Sequence, residues 1–350
     1  MKLLKLDQIK GEETLARSIM TDDFHELLSE GAKLKPEYIP KLQDLGISEV
    51  YIHDEKVSTQ TLEILKKEVN IKCKEKVRDL ISRHTYNAGK DMEEICNTAD
   101  NIITNILEEE NVVEQIYDIK ERSADIYEHS INTCTLATMV SLKLQIPKEK
   151  VHDIGVGCLL HDLGLRYVTV DFDNQSIEEL EPKVAEEYKK HPIYAYSALK
   201  GEEWLSKSSK EIILCHHERL DGSGYPLHAR NLSWEIRIAA VCDFFDEQIC
   251  GIGCYRMKVY EVVEYLKSYK GIYFDEKVVD ALLEFTAVYP SGSKVLTSEG
   301  DIAIVIKQNK HFPERPVIQI VETKDGKILD NPEVKDLLEY TNLVIEKVMN

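Results

Sequence analysis

The stretch that most constrains this chain is His216-His217-Glu218-Arg219-Leu220-Asp221-Gly222-Ser223-Gly224-Tyr225-Pro226. It joins two adjacent imidazoles and several charged groups to a Gly-Tyr-Pro turn. Two neutral imidazoles side by side are difficult to bury unless each finds a polar partner, and a metal ion gives both of them one. An apolar, helix-like segment earlier in the chain ends in His161-Asp162. The two segments together predict a metal centre of the hydrolytic kind.

The composition limits the classes of function. The chain has 350 residues, 43% of them hydrophobic, which suffices for a substantial core. Its net charge of -19 disfavours duplex nucleic acid as a partner, because phosphates require a positive field. We expect neither a membrane span nor a secretory signal, since no long apolar run occurs. The eight cysteines are scattered without a Cys-x-x-Cys pair, which predicts a reducing, cytoplasmic location.

The order of patterns along the chain predicts a mainly α protein with small appendages. The predicted regions are a small α+β module, a helical connector, a helical bundle and a strand-rich appendage, over residues 1–55, 56–120, 121–288 and 289–350. The charge runs of the connector are most simply a solvated face, and a homodimer contact is the alternative.

Short patterns at the two ends predict individual elements. Near the amino terminus, 15–19 and 48–52 are strand-like and flank a helix over 36–45. In the carboxy-terminal appendage we expect two strands, a tight turn and a closing helix, at 301–306, 316–321, Asp325-Gly326 and 333–348.

Three helical patterns in the predicted bundle each direct a polar residue toward the core. His161 continues an apolar stripe, His216 lies one turn after Ile212, and Asp243 follows Ile236 by seven residues on the same face. A buried carboxylate without a partner costs several kcal/mol. A shared cation is the simplest explanation for three such residues in one domain.

Each of these residues also has an ordinary structural explanation when it is taken alone. A single inward histidine is more often a hydrogen-bonded core residue, and Asp243 could cap a helix or pair with Arg237. The same holds for His129 and His191. Their combination with the His-Asp and His-His pairs favours metal ligation. Imidazole and carboxylate suit Fe, Mn or Zn, and the lack of a cysteine ligand set disfavours a structural zinc site.

The spacing within the pairs predicts a centre with more than one metal ion. Adjacent helical residues diverge by about 100°, so His161 can bind one ion while Asp162 bridges two. His216 and His217 can likewise serve neighbouring positions. Two-metal centres activate a hydroxide and stabilise phosphoryl oxygens. The residues therefore predict metal-assisted hydrolysis of a phosphate ester, without identifying the ester.

The motifs His161-Asp162-Leu163-Gly164, His191-Pro192, the 216–226 stretch and the acidic pair Asp243 and Asp246 resemble the HD-GYP family of metal-dependent phosphohydrolases. The resemblance covers about 121–288. It implies an HD-type helical bundle with two or three divalent metals, usually iron or manganese, and hydrolysis of cyclic di-GMP to pGpG or GMP. It also implies a metal-bridging hydroxide as nucleophile and cyclic-di-GMP synthase domains as partners.

The resemblance also implies a role for individual residues. The implied metal ligands are His129, His161, Asp162, His191, His216, His217 and Asp243, with Asp162 as the bridging, catalytic carboxylate. Asp125 occupies the position where family members with three metals carry a glutamate. The residues expected to bind or shape the site for substrate are Arg166, Arg219, Asp221, Gly222, Gly224, Tyr225, Pro226, Tyr255 and Arg256.

Two departures from the family pattern affect phosphate binding. The usual lysine after the His-Asp-x-Gly motif is Leu165, with Arg166 beside it, and the usual Arg-Pro-Tyr segment reads Gly253-Cys254-Tyr255-Arg256. Charge-assisted contacts contribute roughly 1.5–3 kcal/mol each. Two hypotheses therefore stand beside the cyclic di-GMP phosphodiesterase: a weakly active or inactive protein that senses a nucleotide or docks synthase domains, and a phosphohydrolase of another nucleotide.

Overall fold

A computed structural model describes residues 2–11, 13–15, 19–20, 26–28, 31–45, 47, 49–52, 62–84, 94–109, 112, 115–119, 122 and 124–349. The chain divides into two compact units. One comprises 62–288 with 309–314, and the other comprises 1–61, 289–308 and 315–350. Among the described residues, no helix has the length and apolar character needed to cross a membrane.

The first unit is a bundle of α-helices, as the sequence predicts. The segment expected to be a connector contributes α2 (Lys67–His84) and α3 (Glu94–Leu107) to this unit. The remaining helices are α4 (Ile126–Lys143), α5 (Lys148–Leu160), α6 (Pro182–Tyr188), α7 (His191–Leu199), α8 (Lys207–Cys215), α9 (Trp234–Cys250), α10 (Val259–Ser268) and α11 (Glu276–Phe285). A 3₁₀ helix, His161–Tyr167, directly follows α5.

Helices α4 and α9 are the buried centre of the bundle. In α4 nearly every residue from Glu128 to Ser141 is buried, and α9 begins at the side-chain cap Ser233 and ends at Gly251, whose φ is +81°. Gly251 supports this left-handed end because it has no Cβ. These two helices therefore place their polar residues deep inside the unit.

Glycines allow close approach of the elements that carry the histidines. A Cβ at residue 157 would lie 2.9 Å from Ile212, so Gly157 lets α5 pack closely on α8. A Cβ at residue 164 would lie 1.9 Å from the His191 carbonyl oxygen. Only glycine fits at 164, and this contact brings the start of α7 against the 3₁₀ helix after His161.

The amino-terminal part of the second unit pairs β1 (Lys2–Lys5) antiparallel with β4 (Glu49–Ile52) and β2 (Ile19–Met20) with β3 (Glu26–Leu28). The helix predicted over 36–45 is found as a 3₁₀ turn followed by α1 (Ile39–Asp44). Parts of the two predicted strands, residues 16–18 and 48, lie outside the described residues.

The carboxy-terminal part of the second unit is a five-stranded antiparallel sheet in the order β8-β7-β6-β5-β9. The strands are β5 (Lys294–Thr297), β6 (Ile302–Lys307), β7 (Val317–Glu322), β8 (Ile328–Asp336) and β9 (Ile345–Val348). The two predicted strands and the turn before Gly326 are confirmed, Gly326 having a φ of +77°.

The helix predicted over 333–348 is wrong. The segment instead ends β8 and forms β9, which pair with β7 and β5. Leu337 and Leu343, between these strands, are buried in the core of the sheet. The partner of β9 lies far away in sequence and that of β8 is the preceding strand, and this pairing overrides the local helical spacing.

Candidate metal centre

Five elements of the helical unit converge on one buried centre. His129 comes from α4, Asp243 from α9, His191 from the first turn of α7, and His216 and His217 from the end of α8. His161 and Asp162 begin the 3₁₀ helix after α5. All seven side chains are at most 4% exposed. The seven residues expected to be ligands are therefore brought together.

A first group consists of Asp162, His191, His216 and His217. The Nε2 atom of His191 lies 3.2 Å from that of His216 and 3.1 Å from that of His217. The Oδ1 atom of Asp162 lies 3.3 Å from His191 Nε2 and 3.8 Å from His216 Nε2. Both adjacent histidines thus belong to the same group.

A second group consists of His129, His161 and Asp243. Asp243 Oδ1 lies 3.1 Å from His129 Nε2 and 3.0 Å from His161 Nε2. The second carboxylate oxygen of Asp162, Oδ2, faces this group at 3.6 Å from His129 Nε2 and 3.4 Å from His161 Nε2. Asp162 therefore directs one oxygen to each group.

The hydrogen bonds of the histidines fix which ring nitrogen faces the centre. The Nδ1–H groups of His161 and His191 donate to the carbonyl oxygens of Cys158 and Tyr188, at 2.6 and 2.9 Å. His216 Nδ1 lies 3.1 Å from the Ile213 carbonyl oxygen. A carbonyl only accepts, so Nδ1 carries the proton, and in the neutral ring Nε2 presents a lone pair to the centre.

His129 is oriented by side chains instead. Its Nδ1–H donates to Asp246 Oδ2 at 2.8 Å, and Arg122 forms an ion pair with the same Asp246 oxygen. A carboxylate behind a ligating histidine raises the basicity of the ring and holds its orientation. Asp246, which the sequence linked to the acidic motif, therefore supports His129 from outside the second group.

The polar atoms of the centre fit divalent metal ions. Asp162 Oδ2 and Asp243 Oδ2 are buried and have no hydrogen-bond partner among the described residues, an arrangement that costs free energy unless a cation compensates it. Burial, together with neighbouring imidazoles, lowers the pKa of His216 to about 3 and that of His217 well below its usual value. Both rings are therefore neutral, the state in which imidazole binds a metal.

The carboxylates are ionised. Burial alone would raise the pKa of Asp243, but the His129 and His161 imidazoles beside it hold that pKa well below its usual range. Burial likewise opposes ionisation of Asp162, and the nearby imidazoles, His161 foremost, lower its pKa. Ionised carboxylates beside inward-facing imidazole nitrogens form a donor set typical of Fe, Mn or Zn.

Asp125 does not join the centre. It is the side-chain cap of α4, accepting hydrogen bonds from the backbone N–H groups of Tyr127 and Glu128 at 3.0 Å each, and it forms an ion pair with Lys74. An aspartate at a helix start satisfies backbone donors that are otherwise unpaired. The expectation that Asp125 is a metal ligand therefore has no support in the geometry.

Glu247 is the acidic residue that the sequence reasoning missed. It forms a third group with His217 and Asp243, and its Oε1 lies 3.8 Å from His217 Nε2. Burial and the neighbouring Asp243 raise the pKa of Glu247 well above its usual value. The available signal was its position one helical turn after Asp243, on the same face of α9.

The Gly-Tyr-Pro loop folds directly over the first group. The Tyr225 ring stacks on His217, with 4.5 Å between ring centres, and the Tyr225–Pro226 peptide bond is cis. Glu218, fully buried, accepts hydrogen bonds from the backbone of Leu227 and Ala229 at 2.6 and 2.9 Å. The loop thus places an aromatic ring at the edge of the centre.

Two more of the predicted loop residues shape that turn. Gly222 has a φ of +80°, and a Cβ at residue 224 would lie 2.4 Å from the His217 carbonyl oxygen. Asp221 accepts hydrogen bonds from the backbone and hydroxyl of Ser223, at 2.9 and 2.7 Å. In the structure, these three residues set the conformation of the loop.

The three arginines and Tyr255 that were expected to bind substrate have different contacts in the structure. Arg219 lies over the rings of Phe274 and Phe244, at 4.9 and 5.5 Å from their centres. Arg166 donates to the carbonyl oxygen of Ile81 in α2. The Tyr255 hydroxyl donates to Glu179 at 3.0 Å, and the backbone N–H of Arg256 donates to Asn174. Arg166 is therefore held by the backbone of a neighbouring helix.

Comparisons with known proteins agree with this geometry. The family model for the HD domain matches residues 96–278, and a model for a KOW domain associated with HD domains matches residues 294–350. A solved HDG"Y"P protein from Bdellovibrio bacteriovorus has the same fold, with a TM-score of 0.56 and 17% identity over 80% of this chain and 97% of that one.

Two curated relatives are cyclic di-GMP phosphodiesterases. One, from Pseudomonas aeruginosa, is 26% identical over 68% of this chain and 58% of its own length. The other, from Borreliella burgdorferi, is 26% identical over 63% of this chain and 59% of its own length. The chain thus spans somewhat less than three fifths of the length of each.

Proposed function

The chain belongs to the HD domain family, in its HD-GYP branch, and from this premise we propose that it is a metal-dependent phosphodiesterase that hydrolyses cyclic di-GMP. Membership of the family implies divalent metal binding. The relatives named cyclic di-GMP phosphodiesterases support the substrate class. Release of pGpG, of GMP or of both belongs to this proposal.

The position of Asp162 is the observation that carries the proposal. Its two oxygens face two separate groups of imidazoles, as a bridging carboxylate requires. The first group would hold one ion and the second group another, with Asp162 shared between them. When bound, two such ions activate a water nucleophile and stabilise the oxygens of an in-line phosphoryl displacement.

The protein's own residues orient and enclose the reacting phosphate. Asp246 and the three backbone carbonyls hold the histidine rings with Nε2 inward. Tyr225 covers one edge of the first group and offers a ring surface to the substrate. Iron or manganese is the proposed metal, because the first two groups offer imidazole and carboxylate donors alone.

A second function is favoured by one observation. Leu165 is buried in an apolar cluster and supplies no cation to a substrate phosphate, and the Arg166 guanidinium donates to the Ile81 carbonyl oxygen of α2. A protein that binds a cyclic dinucleotide without turning it over, or that docks synthase domains through its loop, is the alternative. A different nucleotide substrate also stands as a hypothesis, and homodimer formation and a cytoplasmic location stay predictions.

Turnover of cyclic di-GMP, followed by chromatography, tests the proposed function. The protein is purified without oxygen, loaded with iron or manganese, and compared with Asp162→Ala. We expect product from the wild type and none from the variant. Asp280→Ala is the control. Asp280, on α11, forms a surface ion pair with Lys270, and such pairs contribute little to stability. Bound metal without product from the wild type would contradict the phosphodiesterase and favour the binding role.

A further inference from the structure

Lys189 places a positive charge beside the Gly-Tyr-Pro loop. Its exposed ammonium lies 5.7 Å from the centre of the Tyr225 ring, and that ring stacks on His217. The ammonium and His217 therefore lie beside the same aromatic ring. Lys189 reaches this position because it precedes His191, at the start of α7, by two residues.

The ammonium of Lys189 has no acidic partner in the part of the chain that the structure describes. The adjacent Lys190 forms an ion pair with Glu187 at 3.0 Å, whereas no described carboxylate lies within 4.0 Å of Lys189. In a chain with a net charge of -19, a cation without an acidic partner beside a metal centre is unusual. An anionic ligand would complete its surroundings.

Three arginines around the centre have polar partners among the described residues. Arg122 is buried against Asp246, Arg166 donates to Ile81, and Arg219 donates to the Glu218 carbonyl oxygen. Lys189 contacts only the face of an aromatic ring, an interaction that contributes about 0.5–1 kcal/mol at an exposed site. A phosphate oxygen competes with that interaction readily, since the three donors of an ammonium form stronger, charge-assisted hydrogen bonds.

The packing of Leu165 explains why a cation is needed at this place. Leu165 lies in an apolar cluster with Tyr188, so the residue after the His-Asp-x-Gly motif contributes packing and no charge. Lys189 follows Tyr188 directly in the chain. Residue 165 is thus uncharged, and the residue that follows its packing partner Tyr188 is a cation.

We propose that Lys189 binds the second phosphodiester of the cyclic dinucleotide, the one that is not being hydrolysed. This inference rests on the proposed function, since it assigns the scissile phosphodiester to the metal groups. Lys189 is exposed and lies beside the Tyr225 ring, whereas the residues of the first group are buried, so its ammonium is set apart from the phosphate held at those groups. Lys189 therefore makes the site selective for substrates that carry two phosphates.

Steady-state kinetics on two substrates test this assignment. Cyclic di-GMP carries two phosphodiesters, whereas bis(p-nitrophenyl) phosphate carries one. For Lys189→Gln we expect KM for cyclic di-GMP to rise roughly 10- to 100-fold, the usual effect of losing a charged hydrogen bond. The kcat for cyclic di-GMP, and both constants for bis(p-nitrophenyl) phosphate, should stay close to wild type. Lys190→Gln is the matched control and should change neither substrate.

Three results would overturn the assignment. They are an equal loss on both substrates, no change in KM for cyclic di-GMP, and an equal effect of Lys190→Gln. Inhibition of bis(p-nitrophenyl) phosphate hydrolysis by cyclic di-GMP separates this inference from the proposed function. If cyclic di-GMP inhibits without being consumed, the proposed function fails, and its inhibition constant in the same variants decides the role of Lys189. If it neither inhibits nor is consumed, both proposals fail.

Discussion

The core of the carboxy-terminal sheet and the centre of the helical unit bury opposite kinds of side chain. The sheet encloses the side chains of Val295, Val305, Ile318 and Ile320, which are at most 2% exposed and have no polar atom. The helical centre encloses five histidines and three carboxylates at 7% exposure or less. Apolar burial stabilises the sheet by itself, whereas the polar centre is costly until protons or metal ions balance it. Substitutions should therefore affect the two interiors in different ways.

Loss of Asp162 should produce the largest effect on the centre. Asp162→Asn keeps the shape of the side chain but removes the charge shared by the first and second groups. We expect metal content to fall and turnover to drop by far more than the roughly 10- to 100-fold that loss of an outer-shell partner costs. Metal analysis by mass spectrometry and cyclic di-GMP turnover measure the two effects. Normal metal content in this variant would refute the bridging role.

Loss of Asp246 should have the next largest effect. Asp246→Asn removes the charge that orients His129 and pairs with Arg122. We expect metal affinity or activity to fall about 10- to 100-fold, as for other partners behind a ligating histidine. Metal titration followed by turnover measures it. An unchanged affinity would show that the His129 ring is held by packing alone.

Loss of Glu247 should have a smaller, selective effect. Glu247→Gln removes one carboxylate from the third group and leaves the first two groups complete. A third ion at this group would make the variant bind one metal ion fewer per chain than the wild type, while Asp125→Asn, which can still cap α4, keeps the wild-type number. Equal metal content in wild type and Glu247→Gln would exclude a third ion at this position.

Truncation in the sheet should leave the metal centre unchanged. Ile318→Ala creates a cavity in a fully buried apolar site and should lower the free energy of unfolding by roughly 2–5 kcal/mol. We expect normal metal content and normal turnover per folded molecule. Denaturant unfolding together with metal analysis tests this, and loss of metal at full folding would contradict independence of the two interiors.

Most ligands of the centre could be predicted from the sequence, because their residue types and their positions in the helical periodicity both indicate a buried metal site. His161, His216 and Asp243 each interrupt an apolar stripe, and this pattern survives folding intact. A carboxylate at residue 125 can serve the backbone as well as a metal, and in the structure Asp125 caps α4. Glu247 had only its spacing from Asp243 to indicate it, and the cation of Lys189 depends on which ring it meets in space.

The strands at the carboxy terminus show another limit. Residues 333–348 have helical spacing, yet their partners in β7 and β5 decide their conformation. The pairing of β9 with β5, which is distant in sequence, leaves no local signal. Where an element is determined by its own capping and periodicity, as α9 is, prediction succeeds.

The main-chain acceptors behind His161, His191 and His216 have a consequence for how this centre tolerates mutation. A carbonyl oxygen is present whatever the side chain, so substitutions at Cys158, Tyr188 or Ile213 can alter packing without deleting the hydrogen-bond acceptor of the ring. His129 relies instead on a side-chain acceptor, Asp246. Substitutions at these three positions therefore leave the acceptors in place, because the backbone itself sets the direction of three of the imidazole lone pairs.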